Sequence, residues 1–81
     1  MAYQAWHKNN QADYEETVET IAEAITWLDQ VAQDDLDDNT VVWNAQGLQE
    51  YDTEDNEWVE WYDDDGDDIR SYGKFGNKVI S

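Results

Sequence analysis

Charge separation along the chain is the feature that most constrains what this 81-residue sequence can fold into. All 21 aspartates and glutamates lie between Asp13 and Asp68, and that interval contains no lysine or arginine. Soluble domains usually mix charges of both signs, because neighbouring opposite charges limit self-repulsion. With a net charge of -17, the chain must spread its carboxylates over the surface of a small fold and build its core from other residues.

Aromatic residues are the main source of core volume. A domain of this size buries only about 60% of the surface that its unfolded chain exposes, and the sequence has no cysteine to add a disulfide. Five tryptophans and five tyrosines supply large apolar areas, which argues against a disordered acidic tail. We therefore predict a single acidic domain over residues 1–81, with Trp27 and Trp43 buried in its core.

After an N-terminal segment of residues 1–12, the first predicted element is an amphipathic helix over residues 13–33. Asp13 and Glu16 have the spacing of a capping box at its start. Apolar residues follow at helical spacing, and we expect five of them to face the core: Tyr14, Val18, Ile21, Ile25 and Leu28. Three acids at four-residue steps are expected along one side of this helix: Glu15, Glu19 and Glu23.

The second half of the chain, residues 40–80, is predicted to form antiparallel strands rich in β-branched and aromatic residues. The strands are expected over residues 40–45, 48–52 and 57–62, with short edge strands over 69–72 and 78–80. Gln46 and Gly47 are interpreted as the turn of the first hairpin, and residues 52–56 as the next turn. The predicted fold class is α+β, with one long N-terminal amphipathic helix packed on a small antiparallel sheet of three to four strands.

Catalysis is not expected from this set of residues. Nucleophilic catalysis needs a Ser, Cys or Lys beside a base, but the only histidine, His7, lies in a segment that we expect to be frayed. The serines are Ser71 and Ser81. Two carboxylates perform acid-base chemistry only where their environments separate their pKa values, and a uniformly acidic surface provides no such difference. We expect no enzymatic activity, no catalytic residue and no cofactor.

The acidic run from Asp63 to Asp68 surrounds a glycine, as calcium-binding loops do. With Gly66 at the sixth loop position, Trp61 takes the first position and Tyr72 the twelfth, where an EF-hand needs an aspartate and a bidentate glutamate. We therefore interpret the run as a solvated loop and predict no metal site.

Charge also indicates the class of partner. A net charge of -17 repels nucleic acid and anionic membranes and attracts basic surfaces over long distances. The sequence contains no run of about 20 apolar residues that could span a membrane, and its start lacks the layout of a signal peptide. We expect a cytoplasmic protein, monomeric or homodimeric, that binds neither nucleic acid nor membrane directly.

The expected binding surface consists of acids with one aromatic anchor. Trp58 and Trp61 are three residues apart and point to opposite faces of a strand, so we expect one of them to be exposed beside the acids, and we select Trp61. The candidate partner-binding residues are Glu15, Glu19, Glu23, Asp34, Asp35, Asp37, Asp38, Glu54, Asp55, Glu57, Glu60, Trp61, Asp63, Asp64, Asp65, Asp67 and Asp68.

In size, charge separation and aromatic content, the chain resembles the phage-encoded DNA-mimic proteins, which include anti-CRISPR, anti-restriction and uracil-DNA glycosylase inhibitor proteins. The likeness rests most on Glu15, Glu19 and Glu23, on the DDLDD linker and on the DDDGDD loop. It implies a non-enzymatic inhibitor that occupies the basic DNA- or RNA-binding surface of a host defence protein. A CRISPR-Cas effector is the favoured target, ahead of a restriction or repair enzyme.

Two other functions fit the same charge. An immunity protein or antitoxin would neutralise a basic toxin through the same electrostatics, and an acidic domain adapted to high salt would need no partner. Halophilic surfaces usually favour arginine over lysine, whereas this chain has three lysines and one arginine. In all three cases we expect crowded carboxylates to have raised pKa values, which would stabilise the fold as the pH falls from 7.

Overall fold

The computed structural model describes residues 3–79, which form a four-stranded antiparallel sheet with one helix against one face. The elements are β1 (Tyr3–Asn9), β2 (Asp13–Val18), α1 (Ile21–Asp37), β3 (Asn44–Asp52) and β4 (Glu57–Glu60), followed by a 3-10 turn (Ile69–Ser71). The strand order is β2-β1-β3-β4. The predicted α+β class with a small antiparallel sheet is confirmed, but the prediction of an N-terminal helix is wrong, because two strands precede α1.

The first part of the predicted helix is an edge strand. Residues Asp13–Val18 form β2 and pair along their whole length with β1. Tyr14 and Val18 lie four residues apart, and this spacing places two side chains on the same face of a helix and also on the same face of a strand. The apolar pattern therefore fits both structures, and pairing with β1 selects the strand.

Thr20 provides the N-cap of α1. Its backbone is extended (φ -133°), its Oγ1 accepts the amide hydrogen of Glu23 at 3.1 Å, and its hydroxyl donates to Glu23 Oε1 at 3.3 Å. These two bonds form an N-cap with the spacing of a capping box, in which Glu23 accepts from the Thr20 hydroxyl and not from its amide. It lies at Thr20-x-x-Glu23 instead of the predicted Asp13-x-x-Glu16. The helix therefore begins at Ile21.

β3 is one continuous strand where the sequence predicts a hairpin. Gln46 and Gly47 lie within it and pair with His7 and Trp6 of β1, so the predicted turn at this position is wrong. The cause is β1, which was assigned to an unstructured N-terminal segment and which supplies the pairing partner that this half of β3 needs.

The turn predicted after β3 is confirmed. Asp52 Oδ1 accepts the amide hydrogens of Glu54 and Asp55 at 2.9 and 3.3 Å, which is typical of an Asx turn. Asn56 has a left-handed backbone (φ 54°), a conformation that asparagine tolerates better than most residues. β4 follows and ends at Glu60, earlier than predicted.

The core lies between α1 and one face of the sheet. Its buried apolar residues are Ala5, Val18, Ala24, Leu28, Leu48 and Ile69. Trp27 and Trp61 are half-buried and pack against this set. Trp43 is 53% exposed, so its predicted burial is wrong: β3 begins at the next residue, which leaves Trp43 in the connection from α1.

The C-terminal segment follows the part of β3 that β4 does not pair. The Trp61 amide donates to Leu48 O at 2.9 Å, and Ile69 enters the core. Ile69–Ser71 form a 3-10 turn where the sequence predicts an edge strand. Tyr72 and Lys78 form an isolated parallel bridge, and the rest of the last predicted strand, from Ile80, lies outside the described residues.

Candidate functional site

Most of the negative charge lies in the sheet and the helix. Sixteen of the 21 acids fall between Asp13 and Glu60, and none of them forms a salt bridge with a lysine or arginine among residues 3–79. We call these sixteen acids the acidic segment. Its charges cluster at β2 and the connection to α1, at the end of α1, and at the β3–β4 turn with β4.

The three acids expected along one side of a helix lie on three different parts of the structure. Glu15 is exposed on β2, directly opposite Trp6 of β1, and accepts a hydrogen bond from Gln4 Nε2 at 3.3 Å. Glu19 lies in the connection between β2 and α1, and Glu23 lies in the first turn of α1. The predicted stripe is therefore wrong, although all three side chains are exposed.

The C-terminal end of α1 collects further acids without a basic residue in the last turn. Asp34 and Asp37 are exposed and accept hydrogen bonds from glutamine side chains one turn earlier, at 3.1 and 3.4 Å. Asp38 accepts from the hydroxyl and the amide of Thr40, and these two hydrogen bonds hold the pKa of Asp38 below its usual value. Cations are normally favoured at this end of a helix, so negative charge is concentrated here against the helix dipole.

The third group surrounds the β3–β4 turn. Glu54, Asp55, Glu57 and Glu60 are all exposed. Tyr62 donates its hydroxyl to Glu60 Oε2 at 2.7 Å, and this hydrogen bond raises the pKa of the Tyr62 phenol. The partner of Glu60 is thus neutral, and the charge of these four exposed acids remains on the surface.

Asp35 is the exception within the acidic segment, because it is buried with only 8% exposure. His7 Nε2 lies 2.5 Å from Asp35 Oδ2, and Asn9 Nδ2 donates to Asp35 Oδ1 at 2.8 Å. Asn44 Nδ2 also donates to Asp35 Oδ2 at 3.3 Å, while His7 Nδ1 lies 2.8 Å from Gln46 Oε1. This cluster joins the end of α1 to the middle of the sheet.

This buried cluster corrects two expectations. Asp35 was selected as a surface residue for partner binding, but it is enclosed by its hydrogen-bond partners. His7 was assigned to a frayed segment, but it is fully buried in β1. Buried polar groups remain stable only when hydrogen-bonded, and here the partners come from three elements. The cluster is a structural part of the core.

The acidic loop at residues 63–68 is organised around a lysine of the same chain. Lys78 Nζ lies 2.8 Å from Asp63 Oδ2, 3.1 Å from Asp65 Oδ2 and 2.6 Å from Asp67 Oδ2. Gly66, with φ 84°, provides the left-handed backbone that lets the three carboxylates converge. The lysine ammonium therefore occupies the position that a cation would take between them.

These contacts reverse the expected pKa shift. The Lys78 ammonium and the Tyr72 hydroxyl, which donates to Asp63 Oδ2 at 2.7 Å, hold the pKa of Asp63 well below its usual value. The pKa of Lys78 is raised by its hydrogen bonds to Asp63 and its neighbours, and the pKa of Tyr72 is raised by its bond to Asp63. Pairing with a cation outweighs crowding at this site.

Arg70 neutralises the next acid of the loop. Its Nη2 lies 2.9 Å from Asp68 Oδ2, and the hydrogen bonds between them raise the pKa of the guanidinium. Asp64 is exposed. Four of the five predicted partner-binding aspartates in this loop therefore form ion pairs within the chain.

The sheet face opposite α1 is open to solvent. It carries Trp6 and Tyr51, which the sequence analysis did not select, and Trp58, the member of the tryptophan pair that was not chosen as the anchor. Strand alternation places on this face every second side chain of each strand, among them Lys8, Asp13 and Glu60. We use the name open face for six of these residues: Gln4, Trp6, Glu15, Gln49, Tyr51 and Trp58. Tyr51 and Trp58 form an edge-to-face pair with ring centroids 5.3 Å apart. Trp61, the predicted anchor, points the other way and packs on Tyr72 at 5.8 Å beside the core.

The strand register identifies Trp6 and Tyr51 as residues of the open face. This register depends on β1, which the sequence analysis does not predict. Among residues 3–79, no group of His, Asp and Glu side chains is arranged to hold a metal ion. Between Tyr3 and Val79, no helix combines the length and apolarity needed to cross a membrane. No protein-family model matches the chain, and no curated protein or solved structure matches it either.

Proposed function

We propose that this protein is a non-enzymatic inhibitor that mimics nucleic acid and occupies the basic DNA- or RNA-binding surface of a host defence protein, with a CRISPR-Cas effector as the favoured target. The observation that carries the proposal is the acidic segment. Its sixteen carboxylates, of which only Asp35 is buried, have no lysine or arginine salt bridge among the described residues. Such a surface attracts a basic groove and repels nucleic acid.

The size of the protein fits a nucleic-acid groove. Duplex DNA carries about one phosphate charge per 1.7 Å of its axis, and a mimic must present carboxylates densely over a similar length. The principal extents of the protein are 42 × 26 × 19 Å, and one turn of duplex measures about 34 Å. The acids on β2, at the end of α1 and around the β3–β4 turn are thus distributed over a body of suitable length.

The charge pattern also narrows the proposed interface. Lys78 and Arg70 pair with four aspartates of the loop at residues 63–68. These aspartates therefore contribute less to the negative electrostatic potential of the surface than their number suggests. We therefore place the centre of the interface on the acidic segment. The site of action would be the cytoplasm of the cell whose nucleic-acid enzyme is blocked.

The test is a pull-down from host lysate at physiological salt with the tagged protein as bait, repeated with excess duplex DNA and with excess structured RNA as competitors. We expect capture of a nucleic-acid enzyme that at least one competitor displaces, because inhibitor and nucleic acid would share one basic surface. The association rate of the purified pair should fall steeply with added salt, since long-range attraction is screened beyond about 8–10 Å.

The matched comparison is a charge variant of the bait, Asp34→Asn with Asp37→Asn, in which the amide group keeps the planar shape of each carboxylate and an oxygen that can accept the glutamine hydrogen bond. Weaker capture of the same enzyme by this bait supports the proposal. Capture of a basic toxin that neither nucleic acid displaces would replace it with an immunity or antitoxin function. A protein that captures no partner, and whose stability depends on molar salt, would be an acidic domain adapted to high salt.

A further inference from the structure

We propose that the open face binds arginine side chains of the basic partner. This inference rests on the proposed function and specifies the chemistry that its interface recognises. The open face combines three aromatic rings with amide and carboxylate groups, and Lys8 is the one basic side chain on the same side of the four strands. A surface of this composition favours a planar cation, because rings attract cations over their faces and carboxylates pair with them at the edge.

We assign Trp6 as the ring on which an arginine guanidinium stacks. A Cβ added at Gly47, directly opposite on β3, would lie 2.6–2.7 Å from three neighbouring atoms of the Trp6 indole. These nearly equal distances mean that the ring lies across Gly47 and covers it, which no larger residue would permit. The indole therefore lies against the backbone of β3, and Trp6 remains partly exposed.

A cation of the chain already approaches this ring. Lys8 Nζ lies 6.0 Å from the centroid of the Trp6 ring, which is at the outer limit of a cation–π contact. Lys8 is exposed, and its cross-strand neighbour on β2 is Asp13. Lys8 thus shows where a cation is attracted, and its long, flexible side chain is easily displaced by a better-fitting group.

Hydrogen-bond acceptors surround the same ring. Glu15 lies opposite Trp6 on β2, and its Oε2 already accepts an amide hydrogen from Gln4 at 3.3 Å. A guanidinium stacked on Trp6 can donate to such a carboxylate from its edge, whereas the compact ammonium of lysine cannot stack and donate in the same plane. A nucleotide base could also stack here, but its phosphate would be repelled by Glu15 and Glu60.

A second ring site lies further along β3. Tyr51 is 40% exposed and pairs edge-to-face with Trp58 on β4. Gly47 and Tyr51 are four residues apart on one strand, which corresponds to about 13 Å. The open face can therefore engage two arginine side chains of a partner at that separation.

The test uses two peptides of equal length and charge, one of arginine and one of lysine, titrated by calorimetry at physiological salt. We expect the wild-type protein to bind the arginine peptide about five-fold more tightly than the lysine peptide, because stacking adds to charge. Trp6→Leu should reduce this preference to the contribution of Tyr51 and Trp58. Trp43→Leu, which changes an exposed tryptophan outside the open face, should preserve it.

A second pair of variants does not depend on Trp6. Lys8→Gln removes the competing cation and should raise affinity for the arginine peptide. Lys74→Gln makes the same charge change beside α1, where Lys74 Nζ donates to Gln33, and should raise affinity less. Circular dichroism before titration verifies that each variant is folded.

Equal affinity of the wild-type protein for both peptides would overturn the inference, as would equal gains from Lys8→Gln and Lys74→Gln. Either result would leave the proposed function intact if an enzyme were still captured and displaced by nucleic acid. Loss of capture with an intact arginine preference would instead reject the proposed function and leave an arginine-binding face.

Discussion

The acids of the loop at residues 63–68 and those of the acidic segment differ in what surrounds them. In the loop, Lys78 binds three carboxylates and Arg70 binds a fourth. In the acidic segment, amides, hydroxyls and one histidine are the partners of five acids: Glu15, Asp34, Asp35, Asp37 and Asp38. The fold therefore neutralises acids where they must converge to shape a loop, and leaves them charged where they face solvent. The paired acids of the loop are structural, and our proposal assigns the exposed acids of the other regions to partner binding.

Stability should depend most on Asp35, the buried acid of the acidic segment. Asp35→Ala removes the acceptor for His7, Asn9 and Asn44 inside the protein, and buried donors without acceptors are costly. We expect the free energy of unfolding to fall by about 3 kcal/mol, measured by urea denaturation. Asp34→Ala, at the exposed neighbouring position, should change it by less than about 0.5 kcal/mol. Similar losses from both variants would contradict the distinction between buried and exposed acids.

A smaller loss of stability is expected from Lys78→Met, which leaves Asp63, Asp65 and Asp67 facing one another without a cation. The melting temperature should fall, but by less than in Asp35→Ala, because the loop is largely solvated. Lys74→Met serves as the control, since Lys74 forms no salt bridge with the acids of this loop. Adding Asp65→Asn to Lys78→Met should recover part of the loss, and a further drop would show that repulsion is not the cause.

The pH dependence of the loop follows from its two shifted groups. The lowered pKa of Asp63 stabilises the folded loop above the ordinary aspartate pKa of 3.8, and this contribution is lost as the pH falls through the folded value. The raised pKa of Lys78 contributes below the ordinary lysine value of 10.5 and is lost as the pH rises through the folded value. Tryptophan fluorescence from Trp61, followed across this range in a variant retaining that tryptophan alone, should be constant between the two limits. Asp63→Asn should abolish the acid limb of the change.

Of the changes considered, added salt should alter the melting temperature least. Raising ionic strength from low to physiological values screens repulsion within the acidic segment beyond about 8–10 Å, so the melting temperature should rise slightly at pH 7. The same salt weakens the Lys78 ion pairs, which reduces the gain. In Lys78→Met the rise should therefore be larger, as differential scanning calorimetry can measure. An equal rise in both proteins would mean that the loop does not differ from the rest of the surface.

The sequence was sufficient to predict the α+β class, the antiparallel sheet and the Asp52 turn, because local patterns specify them. It was insufficient to predict β1. The side chains of β1 that face the core include His7 and Asn9, which are polar, and their burial depends on hydrogen bonds to Asp35, a residue distant in the sequence. Because β1 was not predicted, residues 13–18 had no predicted strand partner and were assigned to the helix. For the same reason Gln46-Gly47 was assigned to a turn.

Part of the candidate surface could also be predicted from the sequence. The exposed acids at the end of α1 and around the β3–β4 turn lie on the surface because their charge is costly to bury. The pairing of Lys78 with Asp63, Asp65 and Asp67 was not predictable, since it depends on a loop bent at Gly66. Trp6 was not selected from the sequence because its position over Gly47 depends on the pairing of β1 with β3.

We propose that the acidic segment, and not the loop at residues 63–68, provides the charge that a basic partner recognises. The most direct test compares two triple variants with equal net charge: Glu15→Gln, Asp34→Asn and Asp37→Asn in one, and Asp64→Asn, Asp65→Asn and Asp67→Asn in the other. The measurement is the concentration of each variant that blocks nucleic-acid binding by the captured enzyme. We predict that the first variant needs at least about ten-fold more protein than the wild type, because it loses charge that steers and pairs, whereas the second stays close to wild type. Equal losses in the two variants would contradict the claim.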